Sequence, residues 1–490
     1  MTAEQTAEKN RWIALVILCT GFLMIVLDAT VVNVALPSIQ DDLGFSASSL
    51  AWVVNAYLIA FGGLLLLAGR LGDLISRRGM FLSGLVVFTL ASLACGVSQS
   101  EAMLVGARFV QGVGGAMTSA VILGMIFTMF PEPREQAKAM GVFSFVASGG
   151  GSVGLIAGGV LTDLISWHWI FFINLPIGIA TGILALRYVK ADRGAGFGQG
   201  ADVLGAVLST AALMLLVYTI VQPAAQDGWG ATSTLLFAAG AVVLGIAFVV
   251  RESTASHPLI PLRIFKVREV AAANAIQGLL VAGMFGTFFM GSLYLQRVLH
   301  YSPLEIGLAF LPLTVVMGTV SVRYTERLIM RFGPRRTLVP GMSLVLVGLL
   351  LFARTPVDGN YLRDLLPIMP LIGLGFAICG PSLVTLAMSG AHQDDAGLAS
   401  GLINTVTQVG GALGLAVLAT LASEHTASLR DAGESTASAL NSGYHLGYLV
   451  AAGLTFVALV IAGTVLRERG TAAVPAHAQS EPDTACAEAA

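Results

Sequence analysis

The sequence predicts an all-α polytopic membrane protein, and three observations support this fold class. Hydrophobic residues make up 56% of the 490 and charged residues only 11%, which is typical of chains built against lipid. Fourteen apolar runs each approach the length of about 20 residues that a helix needs to cross the hydrocarbon. Lysine and arginine also fall mainly in alternate connecting segments, as expected for a multi-pass protein.

The fourteen runs define the predicted membrane helices. Their approximate limits are 12–36, 49–69, 80–98, 103–127, 137–162, 168–187, 203–222, 232–250, 270–295, 304–322, 336–353, 363–389, 396–422 and 446–466. With the N-terminus in the cytoplasm, 21 of the 26 Lys and Arg residues fall in cytoplasmic segments. The positive-inside rule therefore predicts that both termini are cytoplasmic. Arg outnumbers Lys 22 to 4 amid abundant Ala and Gly, which favours a GC-rich bacterial genome and hence a bacterial plasma membrane.

Two basic loops indicate an internal repeat. Arg70, Arg77 and Arg78 lie in one loop, and five arginines between 323 and 336 lie in the other. Each loop joins the second and third helices of a six-helix unit, an arrangement typical of transporters. We therefore expect a six-helix bundle at 1–190, two inserted helices with their linkers at 191–269, a second six-helix bundle at 270–467, and a disordered cytoplasmic tail at 468–490.

Asp28 is the first candidate functional residue, because it lies inside the first predicted span. Between Trp12 and Leu36 the only other ionisable side chain is Cys19. A carboxyl group within a membrane is costly unless it is protonated, paired or hydrated, and such a residue indicates a functional site. A purely structural polar contact between helices is the alternative.

Arg108 is the second intramembrane charge, at a depth similar to that of Asp28. Arg108, Gln111, Gly112 and Gly115 share one helix face, which is expected to point into the bundle. An acid and an arginine buried together can form a proton-sensitive switch. They can equally form a static ion pair between the first and fourth helices, and residue spacing leaves both interpretations open.

The loop GRLGDLISRRG contains a candidate latch formed by Gly69, Asp73, Arg77 and Arg78. Asp73 precedes Arg77 by four residues, the order that favours an ion pair on a helix. The alternative is that the arginines only anchor the loop on the cytoplasmic side.

Glycines form one face of the fifth predicted span. Gly150, Gly154 and Gly158 recur every four residues, with Gly159 beside them. Such a face allows close helix packing, and it can also act as a seam along which helices slide.

Several amides are candidates for lining a substrate cavity. Asn404 and Gln408 share a face in the thirteenth span, Asn274 and Gln277 lie three residues apart in the ninth, and Gln111 lies in the fourth. Nearby aromatic and methionine side chains would supply apolar walls.

These residues resemble the motifs of the major facilitator superfamily, in particular its fourteen-span drug:proton antiporters of the EmrB/QacA type. The resemblance covers residues 10–467. It rests on LDATVVNVALP, GRLGDLISRRG, RFVQGVGGA, GSVGLIAGG and SWHWIFFINLPIG, in that order along the chain.

The resemblance implies a major facilitator fold, with two six-helix bundles and two inserted helices. It implies that Asp28 and Arg108 take part in proton coupling and that Gly69, Asp73, Arg77 and Arg78 regulate the inward gate. Gly150, Gly154, Gly158 and Gly159 would form the antiporter seam.

Four residues depart from the family pattern. Leu155 stands where the fifth helix usually has proline, and Ser76 replaces a loop glycine. Thr407 stands where similar exporters often have arginine, and Met330 where an acid would match Asp73. Without that proline the bend it would impose on the fifth helix is not expected, and the differences at Thr407 and Met330 predict altered substrate contacts or gating in the C-terminal half.

The sequence therefore predicts a proton-coupled antiporter that exports small organic molecules, such as drugs or antibiotics, by alternating access. The expected partners are the small-molecule substrate, protons and the lipid bilayer, without nucleic acid, and the oligomeric state is open. No cofactor, metal or enzymatic activity is expected, since the proton gradient supplies the energy. Two alternatives are a dedicated exporter or importer of one metabolite, such as a pathway product or siderophore, and a nontransporting membrane sensor or enzyme.

Overall fold

A computed structural model describes residues 3–46, 48–192, 194, 196, 202–221, 228–390 and 396–466. Every regular element in these ranges is helical, which confirms the predicted all-α class. The α-helices, numbered in chain order, are α1 (Ala3–Leu43), α2 (Trp52–Leu74), α3 (Arg77–Gly96), α4 (Glu101–Met129), α5 (Pro133–Leu164), α6 (Trp169–Phe172), α7 (Asn174–Tyr188), α8 (Val203–Val221), α9 (Thr232–Thr254), α10 (Arg268–Arg297), α11 (Pro303–Val320), α12 (Glu326–Phe332), α13 (Pro334–Phe352), α14 (Ile368–Gly390), α15 (Ala396–Asp431) and α16 (Thr436–Thr464).

Thirteen helical segments of the described chain are long and apolar enough to cross a membrane. The predicted span at 137–162 falls in α5, whose apolar part is the shorter stretch Gly150–Leu164. Several helices extend beyond their predicted spans, because hydropathy detects only the part of a helix that matches the hydrocarbon. The predicted disordered tail at 468–490 lies outside the described residues.

Serine side chains cap the N-termini of several of these helices. Ser76 accepts a hydrogen bond from the backbone N–H of Gly79 at 2.9 Å, and Ser100 accepts one from Met103 at 3.3 Å. Such N-caps satisfy backbone donors that the first turn of a helix leaves unpaired. They fix the starts of α3 and α4, two helices that contribute to the candidate site.

The helices of the N-terminal part, α1 to α7, pack closely around α1 and α4. Helix α4 packs against α2 and α3, while α1 packs against α5 and α7. Gly84 and Gly114 bring the backbones of α3 and α4 together, since a Cβ on either glycine would lie within 2.8 Å of backbone atoms of the other helix. This packing positions residues of α1, α3, α4 and α7 around one interior point.

The helices of the C-terminal part, α10 to α16, form their own contacts, and several helix pairs join them to the N-terminal part. Helix α10 packs against α15 and α16, and α13 packs against α14. The joining pairs include α5 with α11, α2 with α15, α1 with α10 and α1 with α11. The predicted domain boundaries remain a prediction.

Helices α8 and α9 pack against each other at the edge of the molecule. Helix α8 contacts α2 and α15, so it lies beside one of the helix pairs that join the two parts. Apolar side chains of α9 point outward, with Leu236 68% and Val243 63% exposed. This exposure matches a helix whose outer face meets lipid.

Candidate functional site

Asp28 and Arg108 form a buried ion pair inside the N-terminal helices. Nη1 of Arg108 donates to Oδ2 of Asp28 at 2.5 Å, and each residue is 1% exposed. Asp28 and Arg108, which the sequence places at similar depths, are therefore in direct contact and link α1 to α4. Burial away from bulk solvent strengthens the attraction, but a partner lost there leaves an uncompensated charge.

Amide side chains complete the hydrogen bonding of this pair. Gln111 accepts from Nη1 of Arg108 at 2.6 Å and donates to Oδ1 of Asp28 at 2.7 Å. Asn174 of α7 donates to the same Oδ1 at 3.1 Å. Oγ of Ser92 in α3 accepts from Gln111 at 2.8 Å and from Asn174 at 3.3 Å. Side chains of α1, α4 and α7 thus meet at one carboxylate, and α3 joins the same network through Ser92.

The guanidinium of Arg108 is also held by α2. Its Nε donates to the backbone carbonyl of Val53 at 2.9 Å, and its Cζ lies 4.4 Å from the ring centroid of Tyr57. A cation over an aromatic face is stabilised by the ring quadrupole. Arg108 therefore retains contacts that do not depend on the charge of Asp28.

Sequence reasoning did not find Ser92 or Asn174 in this network. Asn174 lies in the segment SWHWIFFINLPIG, and its isolated amide within an apolar run was the available signal. Gln111, expected to line a substrate cavity, lies in the ion-pair network and is 0% exposed.

The predicted loop latch forms an ion pair and also reaches α4. Nε of Arg77 donates to Oδ1 of Asp73 at 2.8 Å. Its Nη1 donates to the carbonyl of Gly124 at 3.2 Å and to Oγ1 of Thr128 at 3.0 Å. Gly69 faces α4, where a Cβ would make only ordinary contacts. The loop therefore ties the ends of α2, α3 and α4 together.

Asp192, which follows α7, binds the start of α3. Its carboxylate accepts from Oγ of Ser76 at 2.7 Å and from the backbone N–H groups of Arg77 at 2.7 Å and Arg78 at 3.0 Å. Partial burial opposes ionisation, but these hydrogen bonds outweigh it and lower the pKa of the Asp192 carboxyl below its ordinary value. The side chain of Arg78 reaches the carbonyl of Leu186 at 2.6 Å. This loop is thus bound to the end of α7.

The glycine face of α5 packs against α1 next to Asp28. A Cβ on Gly150 would meet Leu23 and Val26, and one on Gly154 would meet Thr30 and the carbonyl of Leu27. These glycines allow the two helices to touch over several turns.

The next two glycines extend this face to the far end of α5. A Cβ on Gly158 would lie 2.9 Å from the carbonyl of Val31, whereas one on Gly159 would lie 2.8 Å from Leu304 of α11. The glycines of α5 thus face both α1 and the C-terminal helices.

The remaining cavity candidates lie on α10 and α15. Nε2 of Gln277 donates to Oγ1 of Thr407 at 2.8 Å, so the residue that replaces the family arginine makes a neutral contact between these helices. Asn274 is 4% exposed and donates to the carbonyl of Val270 in its own helix. Asn404 is exposed.

Gln408 packs toward α2. Its Cβ lies 2.7 Å from the position that a Cβ on Gly62 would take. Asn274, Gln277 and Gln408 thus face three different neighbours, namely the backbone of α10, the hydroxyl of Thr407 and helix α2. Their arrangement differs from that at Asp28, where several polar groups converge on one carboxylate.

The other departures from the family pattern lie in different environments. Leu155 is 0% exposed, and its carbonyl faces Gly307 of α11. Met330 of α12 is 77% exposed. It stands at the position that corresponds to Asp73, and since methionine carries no charge it cannot form the ion pair that Asp73 forms with Arg77.

Arg297 joins α10 to the end of α1 at the face predicted to be extracellular. Its guanidinium forms an ion pair with Asp41 and donates to the side chain of Gln40 at 3.3 Å and to the carbonyl of Pro37 at 3.4 Å. These contacts link the N-terminal and C-terminal helices on that face.

Comparisons with known proteins identify the family of this chain. Residues 18–415 match the Major Facilitator Superfamily. The chain is 37% identical to the puromycin resistance protein pur8 of Streptomyces alboniger, covering 96% of this chain and 94% of that protein. It is 38% identical to the cephamycin export protein CmcT of Amycolatopsis lactamdurans, covering 87% of this chain and 88% of that protein.

The fold is also similar to a solved structure of a bacterial homolog of the human lysosomal transporter Spinster. That structure is inward-facing and unoccupied, and the comparison gives a TM-score of 0.66 at 15% identity, covering 94% of this chain and 99% of the other. Together with the family match over residues 18–415, this similarity confirms the major facilitator fold. The chain therefore belongs to the Major Facilitator Superfamily and is a multi-pass membrane transporter of small molecules, not an enzyme.

Proposed function

We propose that this transporter is a proton-coupled antiporter that exports small organic molecules by alternating access. The ion pair between Asp28 and Arg108 is the observation that supports this proposal most strongly. It places an acid that can bind a proton at a junction of four helices. A transporter needs such a group if protons and substrate are to bias the same conformational equilibrium in opposite directions.

The proposed coupling step begins when a proton reaches Asp28 from the extracellular side. Neutralisation removes the attraction between its carboxyl group and Arg108, while the contacts of Arg108 with Val53 and Tyr57 persist. Helix α1 is then less strongly held to α4 and can move along α5. The glycine face of Gly150, Gly154, Gly158 and Gly159 supplies the seam for that movement.

Loss of the proton to the cytoplasm restores the ion pair and resets the transporter. In this scheme Gly69, Asp73, Arg77 and Arg78 regulate the inward gate. The bonds from Arg77 to α4 support this role, because they connect the loop to the helix that carries Arg108. Moving one charge across 100 mV is worth roughly 2.3 kcal/mol, so one proton per cycle can drive useful accumulation without a cofactor.

We propose two six-helix bundles at 1–190 and 270–467, in a bacterial plasma membrane with both termini in the cytoplasm. Substrate would bind between the bundles, where Asn274, Gln277 and Gln408 supply polar groups. The relatives named for puromycin resistance and cephamycin export favour antibiotic-like cargo and outward transport.

Inverted membrane vesicles test this proposal. An imposed gradient with an acidic interior should drive the uptake of a labelled compound such as puromycin by the wild type, and a protonophore should abolish it. Asp28→Asn should be inserted normally but show no gradient-driven uptake. Normal uphill transport by this variant would exclude Asp28 from proton coupling.

A second candidate function is export of one pathway product, which is favoured by the relative named as a cephamycin exporter. Counterflow with a chemically varied panel distinguishes the two functions. A dedicated carrier accepts few compounds, whereas a multidrug exporter accepts many that share only size and apolar character.

A further inference from the structure

Two buried acids lie at the ends of the inserted helices, and the proposed transport cycle does not use them. Asp202 precedes α8 and is 2% exposed, and Glu252 near the end of α9 is 3% exposed. Oδ1 of Asp202 accepts from the backbone N–H of Gly205 at 3.0 Å and from Nε of Arg251 at 2.9 Å. Oε2 of Glu252 accepts from the backbone N–H of Ile260 at 2.9 Å. One oxygen of each carboxyl group is thus fixed by the protein.

The second oxygen of each group has no hydrogen-bond partner within the described ranges. These atoms are Oδ2 of Asp202 and Oε1 of Glu252. A Cβ on Gly205 would lie 2.7 Å from the first and 2.9 Å from the second, so both oxygens lie beside the same glycine. Two buried acceptors placed close together without a donor are costly.

Among the described residues, Arg251 is the basic residue bonded to this pair, and its charge also acts on Glu252. Arg251 is bonded to Asp202 and has a side chain that is 40% exposed. The other charged groups on packed elements are Arg70 and Asp73 at the end of α2, and Arg263 and Lys266 in the short 3₁₀ turn after α9, all of them exposed or half-buried.

A proton fits this site better than a metal ion. Hard cations such as Ca²⁺ take six to eight oxygen ligands, and within the part of the chain that the structure describes no cluster of three or more acidic, His or Cys side chains is suited to a metal. A single proton needs only the two neighbouring oxygens. It would give each of them the hydrogen bond that it lacks and remove one negative charge.

We propose that Asp202 and Glu252 share one proton. The start of α8 and the end of α9 would then form a second proton-binding site, separate from Asp28. The proton is covalently bound to one of the two neighbouring oxygens and is donated to the other. When it leaves to solvent, two negative oxygens lie close together beside Gly205, and their repulsion pushes α8 and α9 apart.

The site joins the inserted helices to the C-terminal helices. Glu252 binds the backbone of Ile260, and Ile260 packs against a small apolar cluster of Ile264, Val270 and Leu402. Leu402 belongs to α15, which α8 also contacts. The shared proton thus holds α8, α9 and the segment leading into α10 together, and its loss loosens their attachment to α15.

The pH dependence of stability follows from proton binding to the folded state. The folded protein holds one shared proton, and the pair releases this proton on unfolding. The melting temperature should therefore fall as the pH rises through the range in which the pair deprotonates. Glu252→Gln places a permanent N–H donor opposite Asp202. This variant should lack that fall, while Glu132→Gln, at an exposed glutamate, should retain it.

Melting curves of the full-length protein in nanodiscs over a pH series test this proposal. A fall in melting temperature that is the same in the wild type and in Glu252→Gln would overturn it. Infrared spectroscopy gives a second test that does not require Glu252→Gln to fold. At neutral pH exposed carboxyl groups are ionised, so a protonated-carboxyl C=O band reports a buried group.

The infrared test uses Asp28→Asn to remove the contribution of the transport site. In this variant one protonated-carboxyl band should remain at neutral pH and disappear at alkaline pH. If that band is absent, the two carboxyl groups share no proton and the proposal is wrong.

Discussion

Removing the guanidinium of Arg108 distinguishes a proton-sensitive switch from a static ion pair. Arg108→Met retains most of the side-chain volume but deletes the hydrogen bonds to Asp28, Gln111 and the carbonyl of Val53. Breaking a buried pair by removing one partner costs about 3–5 kcal/mol. Asp28 retains the amide donors of Gln111 and Asn174, so we expect a cost of about 3 kcal/mol, the lower end of that range.

The double variant Asp28→Asn with Arg108→Met separates stability from transport. Replacing both charges by neutral groups of similar volume is often neutral for stability, so the double variant should regain most of the melting temperature that Arg108→Met loses. It should still show no gradient-driven export. Arg187→Met, at an exposed arginine of α7, is the matched control and should change neither property.

Thermal melting and vesicle transport, measured on the same preparations, give the result. Export by Arg108→Met at the wild-type rate, with only the melting temperature lowered, would refute the switch. The ion pair would then be a structural link between α1 and α4.

Three further predictions concern the seam, the loop and the face predicted to be extracellular. Gly154→Val should impair export because its side chain would collide with α1, whereas Gly151→Ala, whose Cβ would make only ordinary contact, should transport normally in the same vesicle assay. Asp192→Ala should destabilise the start of α3 by about 1 kcal/mol. Because the pKa of Asp192 is lowered from 3.8, the stabilisation by its carboxylate is present above pH 3.8 and is lost as the pH falls through the lowered pKa. The melting temperatures of the variant and the wild type should therefore converge in acid. Arg297→Ala should weaken the contact between α1 and α10, so a cysteine introduced at Ile39, which is 0% exposed, should be labelled faster by an impermeant thiol reagent than in the parent that retains Arg297 and Asp41; unchanged labelling would show that Arg297 does not hold this face closed.

The overall fold and the central ion pair could be predicted from the sequence because both depend on strong local signals. Apolar runs identify membrane helices directly. A charge inside such a run is rare enough to single out Asp28 and Arg108, and their similar depths indicate that they can meet.

The rest of the site depends on tertiary packing that spacing does not encode. Asn174 and Ser92 are common residue types, and only the packing of α7 and α3 against α1 and α4 brings them to Asp28. Gln111 shares a helix face with Arg108, but the sequence does not show that it turns to the ion pair rather than to a cavity. The carboxyl groups of Asp202 and Glu252 lie near helix ends, where acids are usually solvated, and only their burial makes them notable.

Substrate-dependent proton movement tests the central claim most directly. Purified protein in liposomes with a trapped pH indicator should move protons when a transported compound is added on one side, and Asp28→Asn should bind the compound without moving protons. Compound transport by the wild type without any proton movement, or proton movement by Asp28→Asn equal to that of the wild type, would contradict the claim that Asp28 couples protons to export.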